Sequence, residues 1–239
     1  AVPGFTNKLL AKIANQVFEA FPNTFSQSKK VIHTGNPMRK EIAQLAQRTR
    51  SLKEASRPLQ ILVLGGSQGA LAINKVVPEL LANWPEENRP STRHQTGDST
   101  LERTQQAYRD RGLVLSKRID VLPFISDMAQ AYVWADLVIC RSGASTVSEI
   151  AAAGLPSILV PYPHHSDHQQ KHNANWLVQA GAALLLEQKD LTVPALKALL
   201  LDLDKNRGKL QQMSDRAKSI AICDADEIIA RRCLELIHA

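Results

Sequence analysis

From residue 60 to residue 190 the chain alternates between two hydrophobic rhythms. Short strand-like runs recur at 60–64, 91–95, 118–122, 137–140, 157–160 and 182–186. Between them lie longer stretches with helical spacing near 69–83, 99–111, 126–134, 145–153 and 168–179. The runs at 137–140 and 157–160 are apolar without alternation, the pattern of strands buried on both faces. Strand–helix alternation with short connections predicts an α/β fold built on a doubly wound parallel sheet. Ligands of such a sheet bind beyond the carboxyl ends of its strands. The loops after residues 64, 122, 140 and 160 are therefore expected to face one cleft.

The flanks follow other patterns. Residues 6–16 predict a helix, and 17–21 and 31–33 predict short strands. Asn36-Pro37 is expected to start a helix, since proline suits a first helical position. Residues 46–58 are charged, lack an apolar period and end in Arg57-Pro58, as a linker or surface segment should. Beyond residue 190 the pattern is helical to the end, with Thr192-Val193-Pro194 as a helix start. The opening Ala1-Val2-Pro3-Gly4 reads as the middle of a loop, so the chain is expected to begin partway through a longer protein.

Composition narrows the chemistry. A length of 239 residues suits one large α/β domain, or one domain with part of another. No apolar run approaches the roughly 20 residues that cross a bilayer. Cys140, Cys223 and Cys233 are odd in number and lack Cys-x-x-Cys spacing, which argues against a disulfide framework or zinc ribbon and fits a reducing cytosol. A net charge of +6 favours anionic partners over neutral ones, with a merely solvated basic surface as the plainer reading. Aromatic residues are only 5% and do not interleave with the basic ones, which argues against stacking on nucleic acid.

Four segments carry candidate chemistry. Gln60-Ile-Leu-Val-Leu-Gly-Gly-Ser-Gln-Gly-Ala70 is a buried strand, a turn without side-chain bulk and a helix start. Free N–H groups and the positive end of the helix dipole make that combination an anion site, and phosphate is its usual occupant. The spacing matches neither the dinucleotide fingerprint nor a P-loop with its lysine. Asp136 to Ile150 repeats the device, with Ser142-Gly143-Ala144-Ser145-Thr146 as the turn, so two corners could hold one elongated anion. Glu149 falls on the turn's helical face, where a carboxylate can accept bonds from the vicinal hydroxyls of a ribose. A Ser/Thr cap with an acidic partner accounts for the same spacing equally well.

In the third segment, residues 160–173, Asp167 can cap a helix, and Gln169 and Asn173 share a face with amides suited to sugar hydroxyls. His168 and His172 have a zinc-pair spacing but no third ligand, and no metal is expected. In the fourth, Phe124 and Ile125 set apolar bulk at a strand end, where a flat heterocycle or a helix staple would use it. Arg39 could bring a cation to a phosphate. No Ser-His-Asp order, Cys-His pair or acid pair marks a catalytic group.

Five motifs occur together in one order. They are Gly35-Asn-Pro-x-Arg39, Gly65-Gly-Ser-Gln-Gly-Ala70, Phe124-Ile-x-Asp-Met128, Arg141-Ser-Gly-Ala-x-Thr-Val-Ser-Glu-Ile150 and Asp167-x-Gln-Gln-x-x-Asn173. Over essentially the whole chain they resemble the MurG family, the bacterial peptidoglycan glycosyltransferases of family 28, and Asn7 fits it as well. The resemblance implies a GT-B fold with a Rossmann-like donor domain at 59–223. It also implies the tail of a truncated N-terminal acceptor domain at 1–35, a connection at 36–58, and a final helix at 224–239 that returns to the first domain.

The donor implied is UDP-GlcNAc. Gly66, Ser67 and Gln68 would lie at its diphosphate, Phe124 and Ile125 at the uracil, and Glu149 at the ribose. Ala144, Ser145, Thr146, Val147 and Ser148 would line the nucleotide, Gln169 and Asn173 would meet the sugar, and Arg39 would act from the interdomain side. The acceptor implied is lipid I (undecaprenyl-pyrophosphoryl-MurNAc-pentapeptide), converted to lipid II with inversion. The setting is the anionic cytoplasmic face of the bacterial inner membrane, peripherally bound, without nucleic acid, metal or other cofactor. The family's N-terminal glycine-rich loop, with a His that serves as a candidate base, has no counterpart here, so the catalytic residue is unknown. Alternatives are a stand-alone UDP-sugar-binding module needing a partner chain and a related enzyme such as a UDP-GlcNAc 2-epimerase. A nicotinamide-dependent oxidoreductase is disfavoured by the missing dinucleotide spacing.

Overall fold

The computed structural model describes residues 1–52, 57–66, 70–164 and 167–237. Helix α1 (Phe5–Ile13) precedes two short parallel strands, β1 (Val17–Glu19) and β2 (Val31–His33), which form a sheet of their own. Helix α2 (Lys40–Ala43) leads through a 3-10 turn towards the main domain. The expected helix start at Asn36-Pro37 is displaced: the chain stays extended through Arg39 and turns helical only at Lys40. The reason lies at Gly35, which crosses over the C-terminal connection so closely that an added Cβ would sit 2.7 Å from Ile222 Cβ. Pro37 also holds Asn36 in the extended region, so the chain passes this crossing as a strap.

The main sheet consists of β3 (Gln60–Leu64), β4 (Ser91–Gln95), β5 (Ile119–Leu122), β6 (Leu137–Cys140), β7 (Ser157–Leu159) and β8 (Ala183–Leu185). All six are parallel, in the order β5-β4-β3-β6-β7-β8. Helices α3 (Leu71–Ala82), α4 (Leu101–Arg109), α5 (Met128–Trp134), α6 (Ala144–Ala153) and α7 (Gln169–Gln179) make the crossovers. Helices α8 (Val193–Lys205), α9 (Arg207–Ser219) and α10 (Ala225–Ile237) complete the chain, and Thr192 caps α8 by accepting from Ala195 N.

Strand residues divide between two cores by the two-residue repeat of a pleated strand. Ile61, Val63, Leu137 and Ile139 face one layer with Ile73, Val77 and Leu80 of α3 and Leu196 and Leu200 of α8. Leu62, Leu64, Val138 and Cys140 face the other, with Val147 and Ile150 of α6 and Leu177 of α7. Both faces being covered explains why these strands read as unbroken apolar runs. Burial pushes the Cys140 thiol up to about 12, so it is packing rather than chemistry.

Among the described residues of 46–58, Gln47, Arg48, Thr49, Ser51 and Arg57 are exposed, as a surface segment should be, but Arg50 and Leu52 turn inward. Leu52 is 2% exposed and joins the first core layer. The Arg50 guanidinium donates to the carbonyls of Tyr132, Ala135 and Ala153, at the ends of α5 and α6. A cation at two helix C-termini satisfies orphan carbonyls and opposes both dipoles, which offsets its desolvation. Its pKa still falls to about 10 through burial.

Candidate functional site

Register brings the expected loops to one edge. Leu122, Gln95, Leu64, Cys140 and Leu159 stand level across five adjacent parallel strands. The strand order reverses between β3 and β6, so the corners after Leu64 and Cys140 flank the topological switch point, where ligands of open α/β sheets bind. The two glycine-softened corners thus open on the same side of the molecule.

At the first corner a Cβ on Gly65 would meet Gln95 O at 3.0 Å and Thr96 O at 3.1 Å, so only glycine lets the chain lie against β4. Gly66 adopts φ +74°. Its N–H is not free for an anion, because it donates to Gln95 Oε1 at 2.9 Å, while Gly65 N–H donates to Gln95 O at 2.8 Å. Ser67 and Gln68 lie outside the described residues. Helix α3 then starts without a side-chain cap.

At the second corner the N-cap of α6 is Gly143, and no side chain caps the helix. The Ser/Thr-capping account of this segment therefore does not hold: Ala144, Ser145 and Thr146 already occupy the first turn. Their N–H groups have no intrahelical acceptor, and the positive end of the helix dipole lies at the carboxyl edge of the sheet. Ala144 and Ser145 are exposed and Thr146 is partly so. Val147 points into the second core layer, and the Ser148 hydroxyl donates to Ala144 O at 3.0 Å. The side chains of these two therefore face the helix and the core.

Glu149 follows one turn later on α6, with its side chain 18% exposed. Its Oε2 accepts from the Tyr132 hydroxyl at 2.8 Å, and its Oε1 lies 3.8 Å from Arg39 Nη2. Arg39, the N-cap residue of α2, thus reaches the site from the connecting segment.

Phe124 stands 65% exposed beyond β5, whereas Ile125 is buried. A staple reading fails for Phe124, since it packs in neither core cluster; α5 is instead capped by Asp127, which accepts from Gln130 N. Gln169 opens α7 and its N–H donates to Asp167 Oδ1 at 3.1 Å, so Asp167 does serve the start of that helix. Asn173 does not share the exposure of Gln169. It is 2% exposed, and its amide donates to Ser142 O at 3.1 Å, which ties α7 to the back of the second corner. The Ser142 hydroxyl reinforces that tie by donating to Gln170 O. Among the described residues no group of three His, Cys, Asp or Glu could hold a metal ion.

Three contributors escape a reading by motif. Gln95 closes β4 and bonds both to Gly66 and to Pro123 O; a polar residue ending a buried strand was the available signal. Tyr132 approaches Glu149 from another helix, and nothing in the sequence announces it. Arg141 donates to Val160 O, Pro161 O and Gln188 Oε1, joining the loops after β6, β7 and β8.

A doubly wound parallel sheet with two uncapped helix N-termini astride its switch point defines a Rossmann-like domain. Residues 60–228 match the glycosyltransferase family 28 C-terminal domain, and the chain belongs to that family. It is 45% identical over 235 residues to the UDP-N-acetylglucosamine–N-acetylmuramyl-(pentapeptide) pyrophosphoryl-undecaprenol N-acetylglucosamine transferase of Marinobacter nauticus, covering 98% of this chain. It is 48% identical over 236 residues to the protein of that name from Pseudomonas paraeruginosa, covering 99% of this chain. The chain spans 64% of the length of each of these curated relatives. The crystal structure of Acinetobacter baumannii MurG matches with a TM-score of 0.81 at 40% identity, over 98% of this chain and 65% of that one.

Proposed function

We propose that this chain is the donor-binding part of an inverting N-acetylglucosaminyltransferase that moves GlcNAc from UDP-GlcNAc to lipid I, making lipid II. The observation that carries the reading is the pair of corners after β3 and β6, adjacent and open at one sheet edge. Relatives at 45% and 48% identity bear the name of that activity, which supports it. The uncapped N-terminus of α6 faces the diphosphate, and Glu149 takes the ribose hydroxyls. Phe124 and Ile125 flank the uracil, and Gln169 meets the sugar.

In such a transfer the acceptor's 4-hydroxyl loses its proton to a base as it attacks, and UDP departs. Preorganised N–H groups and a helix dipole stabilise the charge growing on that leaving group. The base role is assigned to none of the residues gathered here. The basic surface, +6 overall, suits an anionic membrane face on the cytoplasmic side. Among the described residues no helix is long and apolar enough to cross a membrane.

Calorimetric titration of the chain with UDP-GlcNAc, UDP and NAD tests the donor site, with binding of the first two and no competition by NAD expected. Incubation with lipid I tests the rest. The chain alone should leave lipid I unconverted, and a partner supplying the acceptor side should restore lipid II. Release of an epimerised sugar without lipid would instead identify a 2-epimerase.

A further inference from the structure

Glu149 does not stand alone at the second corner. Tyr132 comes from α5, its ring 1% exposed within the second core layer, and its hydroxyl meets Glu149 Oε2 at 2.8 Å. A buried ring of this kind cannot swing aside, so the hydroxyl is a fixed point against which the carboxylate rotates. Phenylalanine would fill the same core volume; the hydroxyl adds one donor, and that donor is aimed at Glu149. Arg39 stands at the other oxygen, 3.8 Å away and 47% exposed, a looser and more solvated partner.

We infer that Tyr132 is a positioning residue for ribose recognition, holding Oε2 so that the remaining acceptor positions of Glu149 face the nucleotide sugar. This rests on the UDP reading of the site. A carboxylate offers about four lone-pair positions, so one bond to Tyr132 leaves room for both vicinal hydroxyls. The chemistry also requires the phenol to remain a donor. Burial first, and the Glu149 charge second, raise its pKa well above the usual phenol value, which keeps the hydroxyl a donor at neutral pH.

The test is calorimetric titration of the 239-residue chain with UDP and with 2′,3′-dideoxy-UDP, which lacks the two hydroxyls. The unaltered chain should prefer UDP. Tyr132→Phe should weaken UDP by about tenfold, the scale of one charge-assisted bond, and leave the dideoxy compound unchanged. In a Glu149→Ala background, Tyr132→Phe should add no further loss. Glu149→Asp, which draws the carboxylate away from the phenol without touching the core, should reproduce the selective loss even where Tyr132→Phe folds poorly. Equal weakening of both ligands, or of neither, overturns the inference. Loss of discrimination in Glu149→Ala but not in Tyr132→Phe sinks the Tyr132 role alone. An unaltered chain that binds no UDP, or does not discriminate, removes the donor-site reading and this inference with it.

Discussion

The side chain of Gln95 and the backbone of Gly66 form a closed pair: Gln95 Oε1 accepts from Gly66 N–H at 2.9 Å, and Gln95 Nε2 donates back to Gly66 O at 3.1 Å. The same amide donates to Pro123 O at 3.0 Å. One side chain, 5% exposed, thus joins the corner after β3 to the loop that carries Phe124. Gln95→Leu keeps the volume and removes all three bonds. The groups left unpaired are part-buried, so a cost of about 2–4 kcal/mol is expected. Urea unfolding measures it. UDP titration should show weakened binding in the fraction that remains folded; unchanged binding would show that the two loops hold their geometry without this amide.

Gly65→Ala tests close approach rather than backbone freedom. The added methyl would lie 3.0–3.1 Å from Gln95 O, Ala70 N and Thr96 O, all main-chain atoms that cannot rotate away. The corner must lift from β4, with a destabilisation of about 1–3 kcal/mol for an overpacked site. Affinity for pyrophosphate alone should drop with it. Full retention of that affinity would place the anion elsewhere.

His94 gives the fold a pH dependence. It is fully buried, with Nδ1 at 2.9 Å from the Tyr108 hydroxyl and Nε2 at 3.0 Å from Asn74 Oδ1. Asn74 Nδ2 already donates to Thr96 O and Thr100 Oγ1, so Asn74 Oδ1 is an acceptor and the neutral ring carries its proton on Nε2. Burial lowers its pKa to about 3. Above pH ~6.5 the ring is neutral in folded and unfolded chains alike and costs nothing. Below that, the unfolded chain takes the proton first. Stability should therefore fall as pH drops from about 6.5 towards 3, at no more than about 1.4 kcal/mol per pH unit from this group. Urea unfolding at stepped pH should show this slope in the parent chain and a flatter profile in His94→Gln.

Asp136 anchors the opposite end of the same strands. Its carboxylate, 3% exposed, takes two bonds from Arg57 and one from Gln60 N–H, with Arg207 Nη1 at 3.6 Å. Arg57 is nearly half exposed, so solvent screens much of its share. Arg207 is 11% exposed and would keep its closer partner, Asp204 Oδ1 at 2.5 Å, losing only the longer contact to Asp136. Asp136→Ala should cost about 1–3 kcal/mol, chiefly because the Gln60 N–H loses its acceptor. UDP affinity per folded molecule should stay the same, because the site is at the other edge of the sheet. Equal stability by urea titration would mean that water replaces the carboxylate.

Much of this protein was legible in its residues. Unbroken apolar runs such as Leu137–Cys140 marked strands covered on both faces, because full burial removes the need for alternation. Gly65-Gly66 and Ser142-Gly143 marked the corners; at Gly65 the backbone lies too close to β4 for a side chain, and at Gly66 a φ of +74° favours glycine. What no one-dimensional pattern carries is which atoms are already spoken for. Only the packed structure put Gln95 on the Gly66 N–H, buried Asn173 behind the second corner, left α6 uncapped at Gly143 and set the Tyr132 hydroxyl on Glu149. It also turned the Arg50 side chain inward, onto the ends of α5 and α6. Residue types set which local conformations are cheap; hydrogen-bond partners far apart in the chain are chosen only when the sheet closes and each buried polar group must find an acceptor or a donor.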